Sequence, residues 1–210
     1  ATLTSQNSLS VTRDEVFLFR PSTPGNYSSG TFHMVLDNFG SLHGGGDTWA
    51  IALVEETVVV GDYTLQAGTF LFSRQGGSDH SDIRIFIPTG VGNGTTSGSV
   101  LKLVEGSDSG ISIDDRIVGL DIVTRTTTIG GVTLNPGTIL VSIDDDDTVG
   151  TNNLAVEEFD IFGLVFTQTT LVQQWPLPSG CSMGVMSIWI QALRRSTGSP
   201  STLPPPISHR

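Results

Sequence analysis

Residues Gly180 to Gly184 read Gly-Cys-Ser-Met-Gly, the G-x-S-x-G spacing of a nucleophile elbow. In that device the serine sits on a strained strand-to-helix turn, and an acid and then a histidine follow it in the chain. Ser182 with His209 would be the working pair of an esterase- or lipase-like serine hydrolase. The context argues against it. Pro176 and Pro178 would remove two ladder donors from the strand leading into the turn, although Val185 to Arg195 could supply the helix after it. No Asp or Glu follows Asp160, so the acid is missing where the chain order wants it. The reading is therefore of a chain without a catalytic set, with Ser182 and His209 as the alternative.

A second chemistry is cation binding. Asp144, Asp145, Asp146 and Asp147 are consecutive, with Asn152 just beyond, and Asp108, Asp114 and Asp115 lie in an earlier loop. Hard cations such as Ca²⁺ take about six to eight oxygens from carboxylates and carbonyls, and a bound cation relieves the repulsion of adjacent aspartates. Neither stretch has the spacing of an EF-hand or of a Gly-rich nonapeptide. A solvated acidic turn is the competing reading. The denser run with Asn152, whose Gly150 lets the loop fold back, is expected to be the better calcium site, and Asp108, Asp114 and Asp115 the weaker one. His33 lies in a strand pattern, while His43 and His80 sit in Gly-rich loops beside Asp47, Asp79 and Asp82. No two of them have zinc spacing, so loop decoration is expected.

These residues must be held by strands. Across 210 residues the apolar runs are short and β-branched, broken by 25 glycines and by Asn, Asp and Pro. A net charge of −11 disfavours a nucleic-acid partner, which needs clustered Lys and Arg. No apolar run is long enough to span a membrane as a helix. One cysteine, Cys181, allows no intrachain disulfide, and a single lysine, Lys102, amid abundant Thr, Gly and Asn suggests a secreted or cell-surface protein.

The chain also repeats itself. Val16 to Leu36 lies over Ile83 to Val104, with Phe19 on Phe86, Pro21 on Pro88 and Gly25-Asn26 on Gly92-Asn93. Val60 to Ser73 lies over Ile129 to Ser142, where Gly61, Thr64, Leu65, Gly68, Thr69, Leu71 and Ser73 recur as Gly130, Thr133, Leu134, Gly137, Thr138, Leu140 and Ser142. Glu157 to Phe166 begins a third copy, and the first eleven residues read as the end of an earlier one. The expected units are 1–80, 81–166 with the start of the third, and an atypical tail over 167–210.

Each unit should carry about four antiparallel strands, arranged as a propeller-like blade or as half of a sandwich. Expected core residues are Phe17, Phe19, Leu65, Leu71, Ile83, Ile85, Leu134, Ile139, Leu140 and Val141. Over residues 1 to 166 the acidic inter-strand loops, the stretch Leu103 to Val123 and the stretch Thr133 to Phe162 resemble the tandem β-rich repeats of large secreted and surface proteins of bacteria. That resemblance implies an extracellular structural or adhesive module with a surface, polysaccharide or protein partner, and self-association through repeat edges. The first unit departs from it at Asp37 to Trp49, where the acidic loop is lost.

The tail breaks the pattern. All 21 acidic residues lie at or before Asp160, and two of the three tryptophans lie after it. Met186 follows Asp160 at the interval by which Asp108 follows Asp82. A tail translated out of frame is the expectation these features give.

Overall fold

The computed structural model describes residues 2–4, 7–76, 79–166 and 188–193. The chain opens with the short pair β1 (Thr2–Thr4) and β2 (Ser8–Ser10), followed by a long hairpin, β3 (Val16–Thr23) and β4 (Asn26–Leu36), and one helical turn, α1 (Phe39–Leu42). Next come β5 (Thr48–Leu53), the small hairpin β6 (Val58–Val60) and β7 (Tyr63–Leu65), β8 (Phe70–Arg74), and a second long hairpin, β9 (Ile83–Gly90) and β10 (Ser97–Val104). Then follow β11 (Ile117–Ile122), the hairpin β12 (Thr127–Ile129) and β13 (Val132–Leu134), and β14 (Ile139–Ile143). The last elements are β15 (Asp147–Val149), β16 (Leu154–Val156), β17 (Ile161–Phe166) and β18 (Ile188–Leu193).

The fold is all-β and antiparallel. Two four-stranded sheets dominate, in the orders β5-β8-β9-β10 and β11-β14-β17-β18. Both straddle the expected unit boundaries: β5 and β8 lie before residue 80 and pair with β9 and β10 beyond it. Their turns match closely. Gly68 and Gly137 both stand at φ +90°, and each donates 2.8 Å to the carbonyl of an apolar residue, Val54 and Val123. A residue with a Cβ would be strained at either position.

The pleat sorts the side chains into two layers. Leu71 and Ile85, cross-strand partners, face the second sheet and join Ile139, Val141, Phe162 and Leu164 in one core. Phe70, Phe72 and Phe86 point the other way and pack with Leu36 and Phe39. The first sheet is thus covered on both faces. β5 and β11 run side by side at the seam between the sheets, and each carries a register shift, at 48–50 and at 117–119. At the first shift the buried Ser73 hydroxyl accepts from the Ala50 N–H (3.1 Å) and donates to the Ile117 carbonyl of the other sheet (2.7 Å).

The structure corrects three residues of the expected core and one element. Phe17 is 40% exposed, and Phe19 and Leu140 are only half-buried. Phe19 and Phe86 have the same local setting, each ring lying over a cross-strand glycine, Gly30 or Gly98, where a Cβ would meet the ring within 2.6 Å. Phe86 is fully buried because β9 is paired with β8 and backed by Phe39, whereas β3 pairs only with β4 among the described residues. Leu140 occupies the face of the second sheet turned away from the first. The stretch around Trp189 is a strand rather than a helix: Ile188 to Leu193 pairs in register along the whole of β17, and a short run with β-branched Ile188 and Ile190 suits a strand.

Ser73→Ala leaves one donor and one acceptor buried without partners at the seam. Unsatisfied buried groups cost about 1–3 kcal/mol each. Urea unfolding should show a loss in that range with an unchanged m-value, and a loss under about 0.5 kcal/mol would contradict the assignment.

Candidate functional site

The two acidic stretches come together. The loop before β11 meets the loop before β15. The Asp147 carboxylate accepts from the Asp114 N–H (3.0 Å), and Asp144 accepts from the Arg116 N–H (3.1 Å) while its other oxygen pairs with the Arg116 guanidinium (3.2 Å). Asp114, Asp115, Asp144, Asp145 and Asp147 thus share one lobe at the ends of β11, β14 and β15. Asp108 lies in the preceding turn, where its carbonyl accepts from Ile111 and Ser112. Asn152 is exposed in the turn between β15 and β16.

The lobe orders its own backbone. Asp145 caps the Asp146 N–H (2.9 Å), Asp147 caps Thr148 (2.6 Å), and Asp146 reaches across to Glu158 (2.9 Å). Short polar side chains in turns commonly bond neighbouring N–H groups in this way. The charge is only partly compensated. Arg116 neutralises Asp144 and lies 4.8 Å above the Trp49 ring. Burial raises the Asp115 carboxyl above the usual carboxylate range, and the charges of Asp147, Asp145, Asp144 and Asp114 raise it further. Among the described residues no group of three or more His, Cys, Asp or Glu side chains is arranged to hold a metal ion. A shallow groove beside the lobe is lined by Asp146, Asp147, Thr148, Ala155, Val156 and Glu157.

The other polar centre was hidden in the sequence. The segment around His80 supplies counter-charges to a row of cations. Arg84 and Lys102 are cross-strand partners on β9 and β10, and Arg74 ends β8. Asp79 pairs with Arg74 (2.7 Å) and Arg84 (2.8 Å), and the nearly fully buried Asp82 pairs with Lys102 (2.7 Å). The hydrogen bond from Arg74 holds the Asp79 carboxyl below its ordinary range. Burial works against the Lys102 charge, and its bond and attraction to Asp82 outweigh that, raising its pKa. His80 Nε2 lies 2.8 Å from the Asp114 carbonyl, linking this centre to the acidic lobe. His43 is buried in ring contact with Phe39 and Phe72, and desolvation lowers its pKa. His33 Nε2 lies 2.9 Å from the Thr31 hydroxyl. Ser182 and His209 lie outside the described residues, as does most of the tail.

A raised folded-state pKa makes ionised Asp115 a cost to the native state. The folded form holds its proton at pH values where the unfolded chain has lost it, so stability falls as pH rises through that window, above about 3.8. Asp115→Asn should therefore raise Tm near neutral pH in EDTA, with an advantage that shrinks as pH falls through that window and is gone below about 3.8. Melts across that range check it, and an unchanged or lowered Tm at pH 7 would contradict the lobe's repulsion.

A comparison of the chain with family models, curated proteins and solved structures finds no match.

Proposed function

We propose that the chain is a non-enzymatic β-repeat module of a secreted or cell-surface protein, with a structural or adhesive role and calcium as its stabilising ion. One observation carries the reading. The two sheets have the same strand order and the same glycine turns, and the forward face of one is the bed for the rear face of the next. Such a unit stacks without needing a catalytic centre, as repeat proteins do. The sequence repeats of Phe19/Phe86, Gly68/Gly137 and Ser73/Ser142 fall on the turns and packing positions that such stacking uses.

An adhesive role is supported by the β3 edge, which no strand covers among the described residues, and by exposed Tyr27, Phe159 and Ile161, which leave apolar surface for a polysaccharide or protein partner. The calcium arm is supported by the lobe of Asp114, Asp115 and Asp144 to Asp147, whose mutual repulsion a divalent ion would relieve. Asp108, in the turn before Ile111, and Asn152, in the turn between β15 and β16, are the further oxygen donors the reading assigns to it.

Two readouts on the purified chain test the proposal. Melting temperature should rise with free Ca²⁺ over EDTA at matched ionic strength, by the equivalent of about 2.7 kcal/mol at one hundred times Kd for one site. Equal melting temperatures would remove calcium from the reading. p-Nitrophenyl esters should be turned over no faster than by Ser182→Ala. Turnover lost in that variant would replace the module by a serine hydrolase using Ser182 and His209.

A further inference from the structure

The long hairpin of β3 and β4 is half of a sheet. In the first full sheet the matching hairpin, β9 and β10, is continued by β8, which pairs Phe70 with Phe86, Leu71 with Ile85 and Phe72 with Arg84. The sequence repeat sets Phe17, Leu18 and Phe19 at the positions of Arg84, Ile85 and Phe86, and among the described residues no strand lies beside them. The backbone is poised for one. Phe32 turns its N–H and C=O away from β3, onto the side chain of Asn7 (2.8 and 2.9 Å). Its ladder partner Phe19 must then turn its own groups away from β4, and so must Phe17, two residues back in unbroken register. Pro21 falls on the same outward parity, where a missing N–H costs nothing to the β3–β4 ladder. The edge also lacks the usual protection. Phe17 and Leu18 are 40% and 45% exposed, and no charge interrupts the stretch from Val16 to Phe19.

We propose that the outer edge of β3, at Phe17 to Phe19, binds an antiparallel strand of the β8 type: Gly-Thr, then alternating large apolar residues about a central leucine, then Ser. The donor would be another repeat of this kind, as in donor-strand addition. The proposal deepens the module reading and rests on it for the source of the strand. Main-chain bonds to Phe17 and Phe19 supply the attachment. Register is set on the ribbon's two faces. The donor's two outer apolar residues extend the row of Phe17, Phe19 and Phe32, and its leucine lies beside Leu18. A second copy of the folded chain is not the occupant argued here, because its own β8 and β14 are already paired on both edges.

A fluorescein-labelled peptide of residues 66–74, titrated into the full chain and followed by anisotropy, tests this. Saturable binding is expected, at least tenfold weaker for a scrambled peptide and lost in Phe17→Pro, which removes an outward N–H without touching the β3–β4 ladder. Circular dichroism checks that the variant keeps its fold. Independently of any variant, hydrogen exchange on the native chain should show the Phe17 and Phe19 amides slowed by the peptide and those of β10 unchanged. No binding, equal binding of the scrambled peptide, or protection at another edge would overturn the proposal. So would concentration-dependent protection of Phe17 and Phe19 without peptide, which would make the occupant a second copy. The calcium and ester readouts do not involve this edge, so its failure and that of the module reading are told apart.

Discussion

The seam between β5 and β11 is the constraint on which the rest of the structure depends. Two antiparallel sheets can share a core only if their facing strands approach closely, and close approach strands backbone groups wherever the ladder is irregular. The register shift near Trp49 frees the Ala50 N–H, and the buried Ser73 hydroxyl takes it up while donating to Ile117 across the seam. With that junction satisfied, Leu71 and Ile85 meet Ile139, Val141, Phe162 and Leu164 in one buried apolar layer. Ser142 stands opposite the second shift, against Gly119, where a Cβ would come within 2.3 Å of its oxygen. The same junction chemistry is therefore available on the forward side of the second sheet.

Charge is distributed around this core by sign. Cations sit on the ladder of the first sheet, at Arg74, Arg84 and Lys102, and are matched by Asp79 and Asp82 from the loop joining β8 to β9. The second sheet carries the surplus of carboxylates. Ion pairs as buried as Asp82 with Lys102 add little net stability, but loss of one partner strands the other charge, which fixes the loop in place. The acidic lobe is solvent-facing and costs the native state at neutral pH. A surplus of that sign favours solubility and leaves room for a counter-ion.

Much of the architecture was legible in the sequence, and the reasons are local. The glycine turns at Gly68 and Gly137 and the alternating pattern of β9 and β14 are written within a few residues of where they act. Burial of a given position was less legible, because it depends on the neighbour rather than the motif. Phe19 and Phe86 read alike and sit alike over a glycine, yet among the described residues only Phe86 has a strand on either side of its own and a helical turn behind it. Joining of the two acidic loops was not legible either, since it follows from β11 pairing with β14. The ionic row was missed because Arg74, Arg84 and Lys102 align only once β8, β9 and β10 are in register. Around Trp189 a short apolar run suits helix or strand, and only the open edge of β17 decides.

The central claim is that β3 and β4 are a half-sheet, and that the lack of a further strand beside β3 among the described residues distinguishes them from β9 and β10. Native-state hydrogen exchange of the chain alone, resolved by residue, measures this most directly. The account predicts that the Arg84 and Phe86 amides exchange only on global unfolding, together with those of β14, while the Phe17 and Phe19 amides exchange orders of magnitude faster. Equal protection at Phe17, Phe19, Arg84 and Phe86 would mean that β3 is already paired, and would contradict it.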